Sequence, residues 1–352
     1  MTVKQDPDWK AGSSVGGGEP RDPSRAGIGK KRVLLWGAAG LFVILILLST
    51  AYLRDMARAY ERIHDKGSLI SSPYGEIEFT QGGSGSPVLV IHGSGGGYDQ
   101  GELMVEAFLG DEFHWIAPSR FGYLGSTFRE GATFDDQAHA YAHLLDELGV
   151  EQAAVVTLSH GGPSALLFAV LHPDRVSSLT LISAGVAASV GEDQAQANRK
   201  GDMLVRIYNY DALYWGMTRL FKKQFMRLMG ANDAVIADLT PGQRELASHI
   251  IDFMNPASPR SAGAAFDNRA AMPNERIAAI RAPTLVIHAR DDALQLFENA
   301  EFAAATIPGA RLISFDQGGH LLMVIEQASI RAAVRRHILE HAGGPGEGPP
   351  SS

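Results

Sequence analysis

Cysteine is absent from all 352 residues, so disulfides, thiolate metal sites and cysteine nucleophiles are excluded. The same absence suits either side of a bacterial-type membrane and selects no compartment. An excess of positive charge is also missing. Lys and Arg number 31 against 39 Asp and Glu, a net charge of -8. Without a basic stripe there is no electrostatic footprint for nucleic acid, and no such partner is expected. Internal repeats are absent, which argues against solenoids and propellers. A phosphate-cradling loop is absent too: no Gly-Lys-Ser/Thr follows the glycine run after His92, and a G-x-G-x-x-G pattern fails at Tyr98.

What is present includes one long uncharged apolar run, Val33 to Leu53. At 1.5 Å per residue it reaches about 31 Å, enough for the hydrocarbon core of a bilayer. Trp36 and Tyr52 sit near its ends, where interfacial aromatics belong. Residues 33–53 are therefore expected to form a single-pass membrane anchor. A cleaved signal peptide ending at Ser49-Thr50-Ala51 is the alternative, but the run exceeds the usual signal core of ~7–15 residues. Lys30, Lys31 and Arg32 precede it; Arg54, Arg58 and Arg62 follow, diluted by Asp55 and Glu61. That bias puts the N-terminus inside and the catalytic domain outside the cytoplasm. Residues 1–29 and 343–352 are rich in Gly, Ser and Pro and are expected to be disordered tails. Arg54 to Lys66 reads as a charged helical linker.

Residues 67–342 have the 45% hydrophobic and 20% charged make-up of the whole chain on their side, enough for a large core. Strands are predicted at Glu76–Thr80, Pro87–His92, Phe113–Pro118, Ala153–Leu158, Ser178–Ser183, Pro283–His288 and Arg311–Phe315. Helices are predicted at Asp135–Leu148, where Tyr141, Leu144, Leu145 and Leu148 share a face, at Pro163–Leu171 and within Leu321–His341. The alternation predicts an α/β fold with a mostly parallel sheet flanked by helices and a site beyond the carboxyl ends of its strands. Residues 186–280 break the alternation and read as a helical cap insertion. Its aromatics, among them Tyr208, Tyr214, Trp215 and Phe225, could build the cap's core, line a pocket or meet a bilayer surface.

Four stretches carry the chemistry. Thr157-Leu158-Ser159-His160-Gly161-Gly162-Pro163 runs from a buried strand through a serine and two glycines into a helix, the context of a nucleophile elbow. The residues two before and two after such a serine crowd each other and must be small; Gly161 complies and Thr157 departs. His92-Gly93-Ser94-Gly95-Gly96-Gly97 ends another strand, and its glycines let amides approach a ligand. The amides of Ser94, with Gly95 as the near alternative, and of His160 are assigned to an oxyanion hole. His92 itself reads as a structural hydrogen-bonding residue. A third strand ends before Asp291-Asp292, and His320 follows Gly318-Gly319 after the next. A hydroxyl, a carboxylate and an imidazole in this order fit a Ser-Asp-His relay.

From about Tyr74 to His341 the chain resembles the α/β-hydrolase superfamily in its cap-bearing serine branch. The resemblance is carried by PVLVIHGSGGG, HWIAPSRFGYLGST, AAVVTLSHGGPSALLFAVLHPDRVSSLTLISA, PTLVIHARDDAL and GGHLLM. It implies a triad of Ser159, Asp292 and His320, since the family's acid lies three positions after the residue that is Ala289 here. It also implies that Ser119 stands where Asp is usual. No metal or organic cofactor is expected. The expected substrate is a small-molecule or lipid carboxylic ester, with C–C bond hydrolysis or acyl transfer on the same triad as alternatives. A non-catalytic, membrane-tethered binding protein is the reading from another class. Relatives with an aspartate nucleophile are argued against by Ser159.

Overall fold

The computed structural model of the protein describes residues 23–188 and 192–342. The chain divides into two compact units, Met1–Leu53 and Arg54–Ser352. The expected tail at 343–352 and residues 1–22 of the expected N-terminal tail lie outside the described residues. Residues 23–29 belong instead to helix α1 (Pro23–Ile63). Its stretch Arg32–Ile63 contains 18 consecutive residues with a mean hydropathy of 2.4 and is, by length and composition, long and apolar enough to cross a membrane. Val33, Leu34, Trp36 and Phe42 on it are well exposed.

The second unit is built on eight strands: β1 (Ser68–Ser72), β2 (Gly75–Gly82), β3 (Pro87–Ile91), β4 (His114–Pro118), β5 (Ala153–Leu158), β6 (Val176–Ile182), β7 (Thr284–Ala289) and β8 (Arg311–Phe315). Their order is β1-β2-β4-β3-β5-β6-β7-β8. β1 pairs antiparallel with β2 and β2 with β4; every later pairing is parallel. The central strands are continuous apolar runs because helices cover both faces. Along β5, Val155 faces one core with Leu144, Leu166 and Phe168, while Val156 faces the other with Val88, Phe108 and Val334.

The covering helices are α2 (Tyr98–Phe108), α3 (Phe134–Glu147), α4 (Gly162–Leu171), α11 (Glu298–Thr306), α12 (Leu322–Ile325) and α13 (Gln327–His341). Between β6 and β7 lie α5 (Glu192–Tyr208), α6 (Asp211–Leu220), α7 (Lys222–Leu228), α8 (Asp233–Asp238), α9 (Pro241–Phe253) and α10 (Ser261–Asp267). α3 starts where Thr133 and Asp136 form a reciprocal capping box. Leu144 and Leu145 are fully buried on its inner face, each burial contributing about 1.5–3 kcal/mol. The segment between β6 and β7 has its own core of Tyr208, Tyr214, Phe225, Ile251 and Met254, to which Tyr123, Leu321 and Val324 are added from outside it. Tyr210 and Phe221 are exposed.

Some elements differ from expectation. β1 is a polar, largely exposed edge strand, SLISS, with no buried face to signal it. α2 begins directly after the glycine run and contains Gly101, so its sequence reads as loop. Gly101 is needed there: a Cβ would lie 2.6 Å from that of Ala117 on β4. The helix expected within Leu321–His341 is α13, which the short α12 precedes with a break at Glu326, where the chain leaves helical geometry. Gln243 of α9 donates to the Ile325 carbonyl at this break.

Candidate active site

Ser159 is the first residue after β5 and has φ 52°, in the left-handed region that a β-carbon penalises. Tight packing holds it there. A Cβ on Gly161 would lie 2.5 Å from both the His92 carbonyl oxygen and Thr157 Oγ1. Thr157 therefore fits because Gly161 has no side chain, and its own buried hydroxyl is without a hydrogen-bond partner. The Ser159 carbonyl accepts from Gly185 N at 3.1 Å, closing the turn against the end of β6.

His320 arrives from the loop after β8, where Gly318 (φ 141°) and Gly319 (φ 53°) supply conformations other residues resist. Its Nε2 lies 2.9 Å from Ser159 Oγ and its Nδ1 2.8 Å from Asp292 Oδ2. With Nδ1–H donating to the carboxylate, Nε2 is left to accept from the serine hydroxyl. Asp292 is fully enclosed and its other oxygen accepts from the amides of Leu294 and Gln295, both at 2.9 Å. Burial alone would raise this carboxyl; the His320 imidazole outweighs it and holds the group below the usual carboxylate range. Asp291 takes a different part. Its carboxylate accepts from Gly319 N at 2.7 Å and from the Asn232 amide at 2.7 Å, pinning the histidine loop.

Of the amides after β3, Gly93 N donates to Gln100 Oε1, Gly95 N to Tyr123 Oη and Gly96 N to the Gly93 carbonyl. Among the described residues Ser94 N meets no acceptor, which separates it from the engaged amide of Gly95 and leaves it able to donate to a ligand. His160 N, on the first turn beyond the serine, is the second such group. The His160 ring is held by Asp267 O at 3.0 Å and by the Gln295 amide at 3.2 Å. Burial, with Arg120 nearby, depresses its basicity. His92 is buried with both nitrogens engaged: Nδ1 contacts the Gly93 carbonyl at 2.7 Å and Nε2 accepts from Arg120 N at 2.9 Å. Ser119 donates to Glu78 and accepts from Tyr98 N, so Glu78 takes on loop anchoring where the resemblance leads one to expect Asp.

Arg120, Asp267 and Tyr123 were not legible as site residues. Arg120 grips Asp267 with Nη1 and Nη2, and Tyr123 Oη donates to the same carboxylate at 2.5 Å. The one available hint was an arginine in an apolar surrounding, SRFGY, whose acid lies on the distant α10. Asp99 is a similar case. It takes Arg260 through both oxygens and Arg62 at 2.6 Å, while Arg62 also donates to the carbonyls of Phe253 and Asn255.

A narrow apolar cavity of about 70 Å³ reaches Ser159 and His320, walled by Leu158, Leu204, Tyr208, Ile251, Met254 and Leu321 among others. A separate group, His337, Glu340 and His341 on α13, places possible metal-ligating atoms within 4.8 Å of one another. His337 Nε2 already contacts the Pro283 carbonyl, at the end of β7 opposite the triad.

A family model described as "alpha/beta hydrolase fold" matches residues 86–327. An uncharacterized hydrolase of Bacillus subtilis is 29% identical over 76% of this chain and 95% of its own. A 2-hydroxymuconate semialdehyde hydrolase of Pseudomonas putida is 30% identical over 74% of this chain and 89% of its own. Among solved structures, a thermophilic esterase from Thermogutta terrifontis is 25% identical with a TM-score of 0.61, covering 79% of this chain and all of its own.

Proposed function

The chain belongs to the alpha/beta hydrolase family, and from that premise we propose that it is a serine hydrolase that cleaves a carboxylic ester through an acyl-enzyme on Ser159. The observation that carries the reading is the unbroken line from Ser159 Oγ through His320 to the buried Asp292. Ser159 Oγ bonds to the ester carbonyl carbon as its proton passes to His320 Nε2. The Ser94 and His160 amides receive the developing oxyanion. Collapse breaks the carbon–oxygen bond to the alcohol, which leaves with the proton from His320. A water then gives a proton to His320 and attacks the acyl carbon, and Ser159 departs with that proton restored. Asp292 keeps the imidazole in its tautomer and stabilises the imidazolium.

Hydrolysis of a carbon–carbon bond in an acid is the second reading, favoured by the similarity to the semialdehyde hydrolase. Both readings use the same triad. We also propose that α1 is a membrane anchor with the catalytic unit outside the cytoplasm. Arg62, counted in the charged flank after the anchor, is engaged by Asp99, and Arg54 by Asp55. The run Lys30-Lys31-Arg32 directly before the apolar stretch supports the orientation.

Steady-state hydrolysis of a short-chain ester tests the enzyme reading. Ser159→Ala and His320→Ala should each lose ~10⁴–10⁶ in kcat, and the double variant little more, because the two act as a unit. Activity that survives both substitutions would refute it.

A further inference from the structure

Two spaces meet at Ser159. One is the narrow apolar cavity of about 70 Å³, walled mostly by buried side chains. An apolar cavity of about 150 Å³ accommodates benzene, so this one takes an arm of only a few carbons. The other is a basin of about 430 Å³ lined by His160, Asn198, Asp202, Asn268, Gln295 and Asn299 among others. Asn198, Asp202 and Asn268 are exposed, so the basin opens to solvent.

The two spaces suit the two halves of an ester differently. The acyl group stays bonded to Ser159 while water enters, and the smaller, apolar cavity suits its hydrocarbon arm. The alcohol has to leave, and an open basin suits that. Charge in the basin has one sign. Among the described residues lining either space, none is Lys or Arg. The Asp202 carboxylate accepts from the Asn268 amide at 3.3 Å and forms no ion pair among the described residues. Asp267 is neutralised by Arg120. Lys200 donates to the Ala293 carbonyl and lines a different depression, with Asp291, Glu298 and Glu301. A carboxylate entering the basin would shed water, meet no cation and face Asp202.

We infer that the substrate is a short-chain ester without a carboxylate, its small apolar acyl group in the narrow cavity and a neutral or cationic alcohol in the basin. This rests on the serine-hydrolase reading and separates its ester form from cleavage of a carbon–carbon bond in an acid. It also sets long-chain lipid esters aside.

The test uses the full-length protein in detergent and butyrate esters of three small alcohols: ethylene glycol, choline and glycolate. The neutral and cationic esters should exceed the carboxylate ester in kcat/KM by about tenfold or more. Acetate and butyrate esters of ethylene glycol should be preferred over the decanoate. Asp202→Asn should narrow the choline-to-glycolate ratio by about two- to fivefold, and Asp202→Lys should narrow it further. Turnover of the neutral ester reports that each variant is folded. Glycolate butyrate turned over as well as the neutral ester, a preference for decanoate, or a charge ratio indifferent to residue 202 would overturn the inference. Fluorophosphonate labelling of Ser159 combined with turnover confined to a dienoic acid would overturn it while leaving the serine hydrolase standing. No labelling and no ester turnover would overturn the underlying reading instead.

Discussion

The Arg120 guanidinium holds the Asp267 carboxylate through two parallel hydrogen bonds, at 2.6 and 2.7 Å, where neither side chain reaches solvent. The pair braces both proposed oxyanion donors. Asp267 O receives the His160 ring, and Tyr123, bonded to the Asp267 carboxylate, receives Gly95 N beside Ser94. Asp267→Ala leaves a buried guanidinium without its partner, and a loss of about 3–5 kcal/mol in unfolding free energy is expected from urea titration. In whatever fraction remains folded, kcat should fall more than KM rises. An unchanged unfolding midpoint would contradict the bracing role.

Acid stability should depend on Asp99. Burial raises this carboxyl, but Arg260 and Arg62 outweigh burial and bring it down to about 2. Since the folded group titrates below its unfolded value of about 3.9, its contribution is complete above pH ~4 and is lost as the pH falls towards ~2. The amount is about 2 kcal/mol. Unfolding free energies measured across that window should fall less steeply for Asp99→Asn than for the wild type, from a lower starting point. Parallel slopes would show that the carboxyl is not depressed.

Much of this was readable in the sequence, and the division follows chain locality. Ser159 follows β5 directly, and Asp292 and His320 lie in the short loops just after β7 and β8, so a pattern of apolar runs and glycines pointed to them. The Ser94 amide was read from the same kind of pattern, and its distinction from Gly95 depends on where Tyr123 points. Arg120 with Asp267, and Arg62 and Arg260 with Asp99, join residues 147, 37 and 161 positions apart. No local rule of periodicity or capping connects positions so distant. β1 and α2 were missed for the opposite reason: their local signals, polar residues and a glycine, pointed away from regular structure.

The elbow should not tolerate a methyl group at Gly161. The added carbon meets the His92 carbonyl and Thr157 Oγ1 at 2.5 Å, so the serine has to shift. Gly161→Ala is expected to lose on the order of 10²-fold in kcat, the scale of a displacement of about 1 Å. Thr157→Gly in the same chain should restore only part, because the His92 carbonyl remains. Full activity in the single variant would contradict the crowding argument.

Acyl size should be adjustable from the cavity wall. Ile251 is 2% exposed and lines the cavity. Ile251→Ala should cost about 2–5 kcal/mol of stability and move the preferred acyl chain to longer esters. Rates across an ester series check this, and an unmoved optimum would place the acyl group elsewhere.

The most direct test of the whole account is covalent. The intact protein is treated with a fluorophosphonate and the modified peptide identified by mass spectrometry. The account predicts one phosphonyl group per chain, on Ser159, formed far more slowly in His320→Ala and not at all in Ser159→Ala. A folded wild-type protein that stays unmodified, or carries the label on another residue, would contradict it.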